Sequence, residues 1–151
     1  MRIPDLNLLI YAVNSDTPQH SKARRWLEAS LSGSEDIGFA WPVVLGFLRL
    51  TTRHGFMPRP LTPEQSIEIV DEWLAQPCSV LLAPGDAHWT ILKRLLTECG
   101  SAGNLTSDAH LAALAIENSC VLCSSDNDFH RFSDLRFENP LVSSSKSEAK
   151  L

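Results

Sequence analysis

Short apolar runs alternate along the chain with longer segments whose apolar residues recur every three or four positions. The short runs predict strands, and the longer segments predict amphipathic helices. Strands that alternate with helices of about 10–15 residues are typical of parallel βαβ units with helices on both faces of the sheet. The pattern therefore predicts an α/β fold with a short, mostly parallel central sheet. The predicted strands are "MRIPD", "IGFA", "CSVLLAP", "CVLCS" and a short last one in "LRFENP".

Proline and threonine residues mark where several of the helices begin. Thr17 and Thr62 are each followed by proline, the arrangement expected of an N-cap and the first helical position. Thr106 is a third predicted cap, which places Asp108 in the first turn of its helix. The apolar periodicity predicts that Ile67, Val70, Leu74 and the four tryptophans, Trp26, Trp41, Trp73 and Trp89, point into the core. The predicted helices cover residues 6–13, 17–31, 41–54, 62–75, 85–99 and 105–118.

Length and composition indicate one soluble globular domain. The chain has 151 residues, of which 44% are hydrophobic and 21% charged, and no apolar run approaches the roughly 18 residues of a membrane span. We expect a cytoplasmic protein without a signal peptide, with its domain at residues 1–141 and a disordered polar tail at residues 142–151. The net charge of −5 argues against a nucleic-acid partner, unless a bound divalent cation offsets clustered carboxylates.

The four cysteines are predicted to be free thiols. Cys120 and Cys123 have the C-x-x-C spacing of some zinc sites, but they lie in a predicted buried strand. Residues three apart in a strand point to opposite faces, so these two thiols cannot bind one zinc ion together. We interpret them as core residues.

Acidic residues lie at the ends of the predicted elements. Asp5 follows the first strand and Asp126 follows the fourth, and the carboxyl ends of parallel strands form the usual active-site edge of such a sheet. Asp108 begins a helix, and Asp128 lies two residues beyond Asp126. Taken singly, each has a local explanation as a capping or helix-starting residue. A purely structural role for all four therefore stays open.

If three of these carboxylates meet at the edge of the sheet, they require a positive partner. Two carboxylates about 5 Å apart repel by roughly 3 kcal/mol at an effective dielectric of 20. Oxygen ligands favour a hard cation, Mg²⁺ or Mn²⁺, which would activate a water for hydrolysis of a phosphodiester. Asn7 and Ser124 are candidates for orienting the ligands or a phosphate, and both also fit as caps.

The order of these motifs resembles the PIN-domain nucleases, specifically the VapC toxins and their mycobacterial-type branch. The resemblance covers nearly all of the chain before the tail. It rests on "DLNLLIYA", "HSKARRWLE", "WPVVLGFLRLTT", "GNLTSDAHLAALAIE", "SSDNDFHRF" and "LRFENPL". It implies a three-layer α/β/α domain and a Mg²⁺-dependent endoribonuclease that cleaves transfer or ribosomal RNA. It also implies a VapB-like antitoxin and a homodimer.

Carried over to this chain, the resemblance assigns Asp5, Asp108 and Asp126 as metal ligands or water activators and Asp128 as an auxiliary acid. Arg49 becomes a candidate for contact with RNA phosphate or with an antitoxin carboxylate, or is a solvated helical arginine. The chain departs from the family at one place. Family members usually carry a glutamate at or near the position of Phe47, whereas no acid occurs between Asp36 and Glu64.

The missing glutamate favours one metal ion over two and leaves an alternative function open. That alternative is a PIN-like binding module that has lost catalysis and acts through RNA or protein association. A receiver-type signalling domain also gathers aspartates around Mg²⁺, but it needs a phosphoacceptor aspartate after the middle strand. The segment "CSVLLAP" supplies none, so this third hypothesis is the weakest.

Overall fold

A parallel sheet forms the centre of the molecule. The computed structural model describes residues 1–100 and 103–142, and in them the sheet has five strands in the order β3-β2-β1-β4-β5. Every neighbouring pair is parallel, which confirms the predicted α/β fold. The strands are β1 (Arg2–Pro4), β2 (Ile37–Ala40), β3 (Ser79–Leu82), β4 (Val121–Cys123) and β5 (Arg136–Glu138).

The α-helices pack in two groups. The first group contains α1 (Leu6–Val13), α2 (His20–Leu31), α3 (Trp41–Thr52) and α4 (Pro63–Leu74), and the second contains α5 (His88–Cys99) and α6 (Thr106–Glu117). In the first group α1 contacts α2 and α3, and α3 contacts α4, while α5 packs on α6. The chain runs from β1 outward to β3 and then crosses back to β4. Right-handed crossovers therefore place the two groups on opposite faces of the sheet, which gives three layers.

Helix α6 and strands β1 and β4 contribute to the hydrophobic core beneath the site. Ile3 of β1 and Leu122 of β4 are fully buried. Helix α6 buries six residues that point in nearly all directions, as expected of a helix enclosed by its neighbours. They are Ala109, Leu111, Ala112, Ala113, Leu114 and Ala115. This packing fixes the position of the first turn of α6, which carries Asp108.

Of the three predicted N-caps, only Thr62 is correct. Its hydroxyl accepts a hydrogen bond from the backbone N–H of Gln65, and the Gln65 side chain accepts one from the Thr62 N–H, which forms a capping box. Thr17 instead donates to the carbonyl of Asn14 in a turn, and α2 begins only at His20. Thr106 is already the first residue of α6 and makes no capping hydrogen bond.

The prediction that particular apolar residues are buried is partly wrong. Ile67 is 50% exposed, because α4 turns Ser66 and Val70 inward instead. Trp41 and Trp89 are also exposed, whereas Trp26 and Trp73 pack against the core as predicted. Within the described residues all four cysteines are free thiols, and Cys120 and Cys123 are buried as predicted.

Most of the predicted disordered tail, residues 143–151, lies outside the described residues. Among the residues that are described, no helix has both the length and the apolar character needed to cross a membrane.

Candidate active site

The site lies where the direction of the chain through the sheet reverses. Strands β2 and β3 lie on one side of β1, while β4 and β5 lie on the other. Pro4 pairs with Cys123, so Asp5 and Ser124 directly follow two neighbouring strands at their carboxyl ends. Crevices at such switch points are the usual ligand sites of open α/β sheets. The sheet order thus brings together two segments more than 100 residues apart.

Both carboxylate oxygens of Asp5 are engaged. Oδ1 accepts the N–H of Leu6 at 2.7 Å and so caps α1, while Oδ2 accepts the hydroxyl of Ser124 at 2.7 Å. Burial is the main cause that raises the pKa of Asp5, and the negative charge of Asp126 adds to it. The two hydrogen bonds act in the opposite direction because they stabilise the ionised form. Asp5 is therefore oriented firmly, at a cost in desolvation.

Ser124 is the junction of this network. Its side chain is fully buried, and its oxygen also accepts the backbone N–H of Asp126 at 3.0 Å and the amide of Asn7 at 3.1 Å. The side-chain oxygen of Asn7, Oδ1, accepts a hydrogen bond from the backbone N–H of Ser125 at 3.4 Å. Asn7 and Ser124, which the sequence suggests as orienting residues, therefore tie the start of α1 to the end of β4.

Asp108 interacts with the other acids through its charge. Burial is the largest cause that raises its pKa, from 3.8 to about 6, and the charges of Asp5, Asp126 and Asp128 raise it further. Asp126 also has a local role, because its Oδ1 accepts the N–H of Asp128 at 2.9 Å and caps the 3₁₀ helix Asn127–Arg131. The charges of the other selected acids thus oppose the ionisation of Asp108, and the charge of Asp126 opposes the ionisation of Asp5.

Arg131 is a cation that acts on this cluster, and it is not among the site residues predicted from the sequence. Its positive charge lowers the pKa of Asp108. Its Nε donates to the backbone oxygen of Asp128 at 3.0 Å, and its Nη2 lies 3.7 Å from the Asp128 carboxylate. The signal available in the sequence was its position three residues after Asp128 in one short turn.

The suggested contact role of Arg49, an exposed residue of α3, stays a prediction.

The donor atoms around the crevice suit a hard divalent cation. They are carboxylate and hydroxyl oxygens, and the raised pKa values of Asp5 and Asp108 reflect in part a repulsion that a cation would relieve. Within residues 1–100 and 103–142, however, no three acidic, histidine or cysteine side chains lie close enough together to coordinate one metal ion. An ion held here would retain several waters, as Mg²⁺ usually does, or would draw the carboxylates together.

Comparison with known proteins assigns the family. Residues 2–135 match the PIN-domain model. The chain is 47% identical to ribonuclease VapC37 of Mycobacterium tuberculosis, with 93% of this chain and 97% of the relative covered. It is 43% identical to ribonuclease VapC33 of the same species, with 93% and 99% covered. The chain belongs to the VapC branch of the PIN-domain family.

Solved structures agree on the fold of this PIN domain. One neighbour is VapBC2 from Rickettsia felis bound to a DNA fragment from their promoter, with a TM-score of 0.67, 18% identity and 91% of this chain and 97% of that chain covered. Another is VapBC-1 from nontypeable Haemophilus influenzae, with a TM-score of 0.65, 16% identity and 92% and 97% covered.

Phe47, at or near which the family resemblance predicts a glutamate, is a core residue in this PIN domain. Phe47 is fully buried, and its ring packs on that of Trp73 with the centroids 4.8 Å apart. Its neighbour Gly46 faces Leu6, whose Cδ2 would lie 2.6 Å from a Cβ at that position. Positions 46 and 47 of α3 are therefore packed against α1 and α4, and a charged side chain in place of Phe47 would be buried in the core.

His110, two residues after Asp108, faces away from the carboxylates. Its Nδ1 lies 3.0 Å from Nε2 of His88 on α5, and Nδ1 of His88 lies 3.5 Å from the carboxylate of Glu117. These three side chains join α5 to the two ends of α6. His130 packs edge-on against Phe137 instead. The two histidines nearest the acids in sequence thus serve packing contacts.

Proposed function

We propose that this PIN domain is a cytoplasmic endoribonuclease toxin of a type II toxin–antitoxin pair. It hydrolyses phosphodiester bonds of RNA with the help of Mg²⁺, with Mn²⁺ as the other candidate ion. The observation that carries the proposal is the meeting of acidic segments at the switch-point crevice, where Asp5 after β1 is hydrogen-bonded to Ser124 after β4. Burial first, and then the charges of Asp5 and Asp126, raise the pKa of Asp108 there. The relatives are named ribonucleases, which supports RNA as the substrate, with transfer or ribosomal RNA as the expected class.

Asp5, Asp108 and Asp126 are the proposed ligands of one ion, and Asp128 is the auxiliary acid. When bound, Mg²⁺ supplies positive charge opposite the phosphorus and makes a water more acidic. The chain's own residues prepare the site for this. Ser124 fixes one oxygen of Asp5, so that carboxylate needs little reorganisation when an ion enters.

Arg131 is the proposed phosphate-positioning residue. It is held by the backbone oxygen and the carboxylate of Asp128, so its guanidinium is pre-oriented beside the acids. A planar guanidinium recognises two phosphate oxygens at once. It therefore counters, near the scissile bond, the repulsion that four carboxylates would impose on an RNA backbone.

The proposed protein partners are a VapB-like antitoxin and a second copy of this chain. The solved neighbours are described as VapBC complexes, which supports the antitoxin. Helix α3 presents Trp41 at 47% and Leu45 at 58% exposure, one turn apart on the same face. Two adjacent exposed apolar side chains of this size favour a self-association surface.

The alternative is a binding module with weakened catalysis. The buried Phe47 favours it, because that side chain removes an acid that the family usually provides. The remaining carboxylates argue against it. A module that only bound RNA would gain affinity by losing acidic side chains that repel phosphate, yet Asp5, Asp108 and Asp126 are all present.

The test is cleavage of purified transfer and ribosomal RNA by the wild-type protein with Mg²⁺. We expect defined fragments that disappear with EDTA and in Asp5→Asn and Asp108→Asn. Asp71→Asn, the same chemical change at an exposed position of α4, serves as the control and should cleave normally. If the wild type cuts none of these RNAs but binds them with unchanged affinity in EDTA, the binding-module alternative is correct.

A further inference from the structure

An apolar pocket opens directly beside the carboxylate cluster. It has a volume of about 320 Å³, at the lower end of the range for sites that take small organic groups. Asp5 and Asn7 form the edge nearest the acids. Its walls are apolar or aromatic and come from α1, the end of α3 and the loop after it: Leu6, Ile10, Tyr11, Leu50 and Phe56.

We propose that this pocket binds one nucleobase of the RNA substrate, that of a nucleotide adjoining the cleaved bond. The inference rests on the proposed ribonuclease function and adds a subsite to it. Unpaired bases of RNA are recognised chiefly by stacking on aromatic side chains, and Tyr11 and Phe56 supply two such rings. The residue shared with the cluster, Asp5, sets the pocket next to the place where the scissile phosphate would lie.

The chemistry of the lining selects a base over a phosphate. Among the described residues, those that line the pocket include no lysine or arginine, and the one charged side chain among them, Asp5, is an acid. A phosphate would be repelled there, whereas a neutral planar ring would not. The nearly buried Ile10 offers an apolar surface beneath such a ring. A nucleotide chain could therefore place its phosphate at the acids and turn its base into the pocket.

Phe56 is held outward by its loop. It is 43% exposed and follows Gly55, whose φ of +85° lies in the left-handed region that favours glycine. The base of this loop is closed by the hydrogen bond from Leu61 N to Thr51 O at 2.8 Å. On α1, the backbone carbonyl of Tyr11 lies 2.8 Å from Nδ1 of His20. The segments that carry the two aromatic rings are thus anchored separately.

The experiment pairs a protein variant with an altered RNA. The cleavage site of one short RNA is mapped, and the base on each side of the cut is removed in turn to leave an abasic ribose. We expect Phe56→Ala to lower kcat/KM by ~5- to 150-fold, the effect of losing one stacked base, and Phe56→Trp to retain most activity. One abasic position should cause a similar loss in the wild type and no further loss in Phe56→Ala. Trp89→Ala, which removes an exposed aromatic ring of α5 outside the pocket, is the control and should leave cleavage unchanged.

Two results would overturn the subsite while leaving the ribonuclease function intact. One is that the losses from Phe56→Ala and from each abasic RNA simply multiply. The other is that Phe56→Ala cleaves RNA normally but resists inhibition by the antitoxin, which would assign the pocket to a peptide side chain. Binding of the same labelled RNA to Asp108→Asn, with and without Phe56→Ala, tests the subsite without any cleavage. If Phe56→Ala leaves that affinity unchanged, the pocket does not hold a base, whether or not the wild type is a nuclease.

Discussion

Replacing Asp108 by asparagine should stabilise the metal-free protein while abolishing cleavage. The pKa of this carboxyl is raised from 3.8 to about 6 by burial and by three neighbouring acids. At pH 7 the group is ionised in both the folded and the unfolded state, so ionisation of Asp108 lowers the unfolding free energy by its full amount. The shift in pKa corresponds to a loss of about 3 kcal/mol. Because Asp108 is only half-buried, solvent screening reduces the expected gain on neutralisation to about 1–2 kcal/mol.

The sign of the pH dependence follows from the direction of the shift. A raised carboxyl pKa means that the folded state binds the proton more tightly than the unfolded state does. The resulting stabilisation is fully present below about pH 4 and is lost as the pH rises through about 6. The difference in unfolding free energy between Asp108→Asn and the wild type should therefore be largest at pH 7 and shrink as the pH falls to 4.

Urea denaturation in EDTA, followed by circular dichroism, measures this difference. At pH 7 we expect a higher midpoint for Asp108→Asn than for the wild type, and no such gain for Asp71→Asn on the exposed face of α4. Adding Mg²⁺ should raise the midpoint of the wild type and leave that of Asp108→Asn nearly unchanged, because a bound ligand stabilises only the state that binds it. A lower midpoint for Asp108→Asn in EDTA at pH 7 would refute the claim that the acids repel one another in the folded protein.

Three further changes probe the surroundings of Asp108. Ser124→Ala removes the hydroxyl that holds Asp5, and isothermal titration should show at least several-fold weaker Mg²⁺ binding. The unfolding free energy should fall by about 1–3 kcal/mol, because buried partners of the hydroxyl lose a hydrogen bond. Arg131→Ala should raise KM for RNA more than it lowers kcat and should raise the pKa of Asp108 further, which NMR titration of the carboxyl carbon would detect. Phe47→Glu should not restore a second ion and should lower the unfolding free energy by about 3–5 kcal/mol, since it places an unpaired charge in the core; a folded Phe47→Glu protein with tighter Mg²⁺ binding would contradict this.

Elements and topology class were accessible from the sequence, whereas the exact faces of the helices were not. Periodicity located the five strands, and α1 has the predicted bounds of residues 6–13. Which face α4 buries depends on α3, its partner. The hydroxyl of Ser66 lies 2.7 Å from that of Thr51 in the buried contact between the two helices, and this polar pair turns Ile67 outward. A hydrophobicity pattern alone favours Ile67, because it cannot anticipate a buried hydroxyl pair.

Some of the site residues could likewise be predicted from the sequence, whereas others depend on the tertiary structure. Asp5 and Asp126 could be chosen because each follows a strand within three residues, and the edge at which parallel strands end is fixed by topology. The network through Ser124 depends on β1 lying next to β4 in one register, with Pro4 opposite Cys123. Arg131 was missed because its place three residues after Asp128 predicts at most a contact with that neighbour. Its effect on Asp108 becomes visible only when α6 is placed beside the turn.

The structural explanation of these acids as caps is correct for Asp5 and Asp126, but it does not explain why they carry a charge. Asp5 caps α1 and Asp126 caps the 3₁₀ helix that follows β4, as the local interpretation predicts. Serine, threonine or asparagine would cap as well without carrying a charge. Capping therefore does not account for carboxylates that raise the pKa of Asp108 to about 6 and so destabilise the empty fold. A ligand that is bound only by the ionised acids would account for both the residue type and the unfavourable energy. The ligand that we propose is a divalent cation, because carboxylate and hydroxyl oxygens suit such an ion.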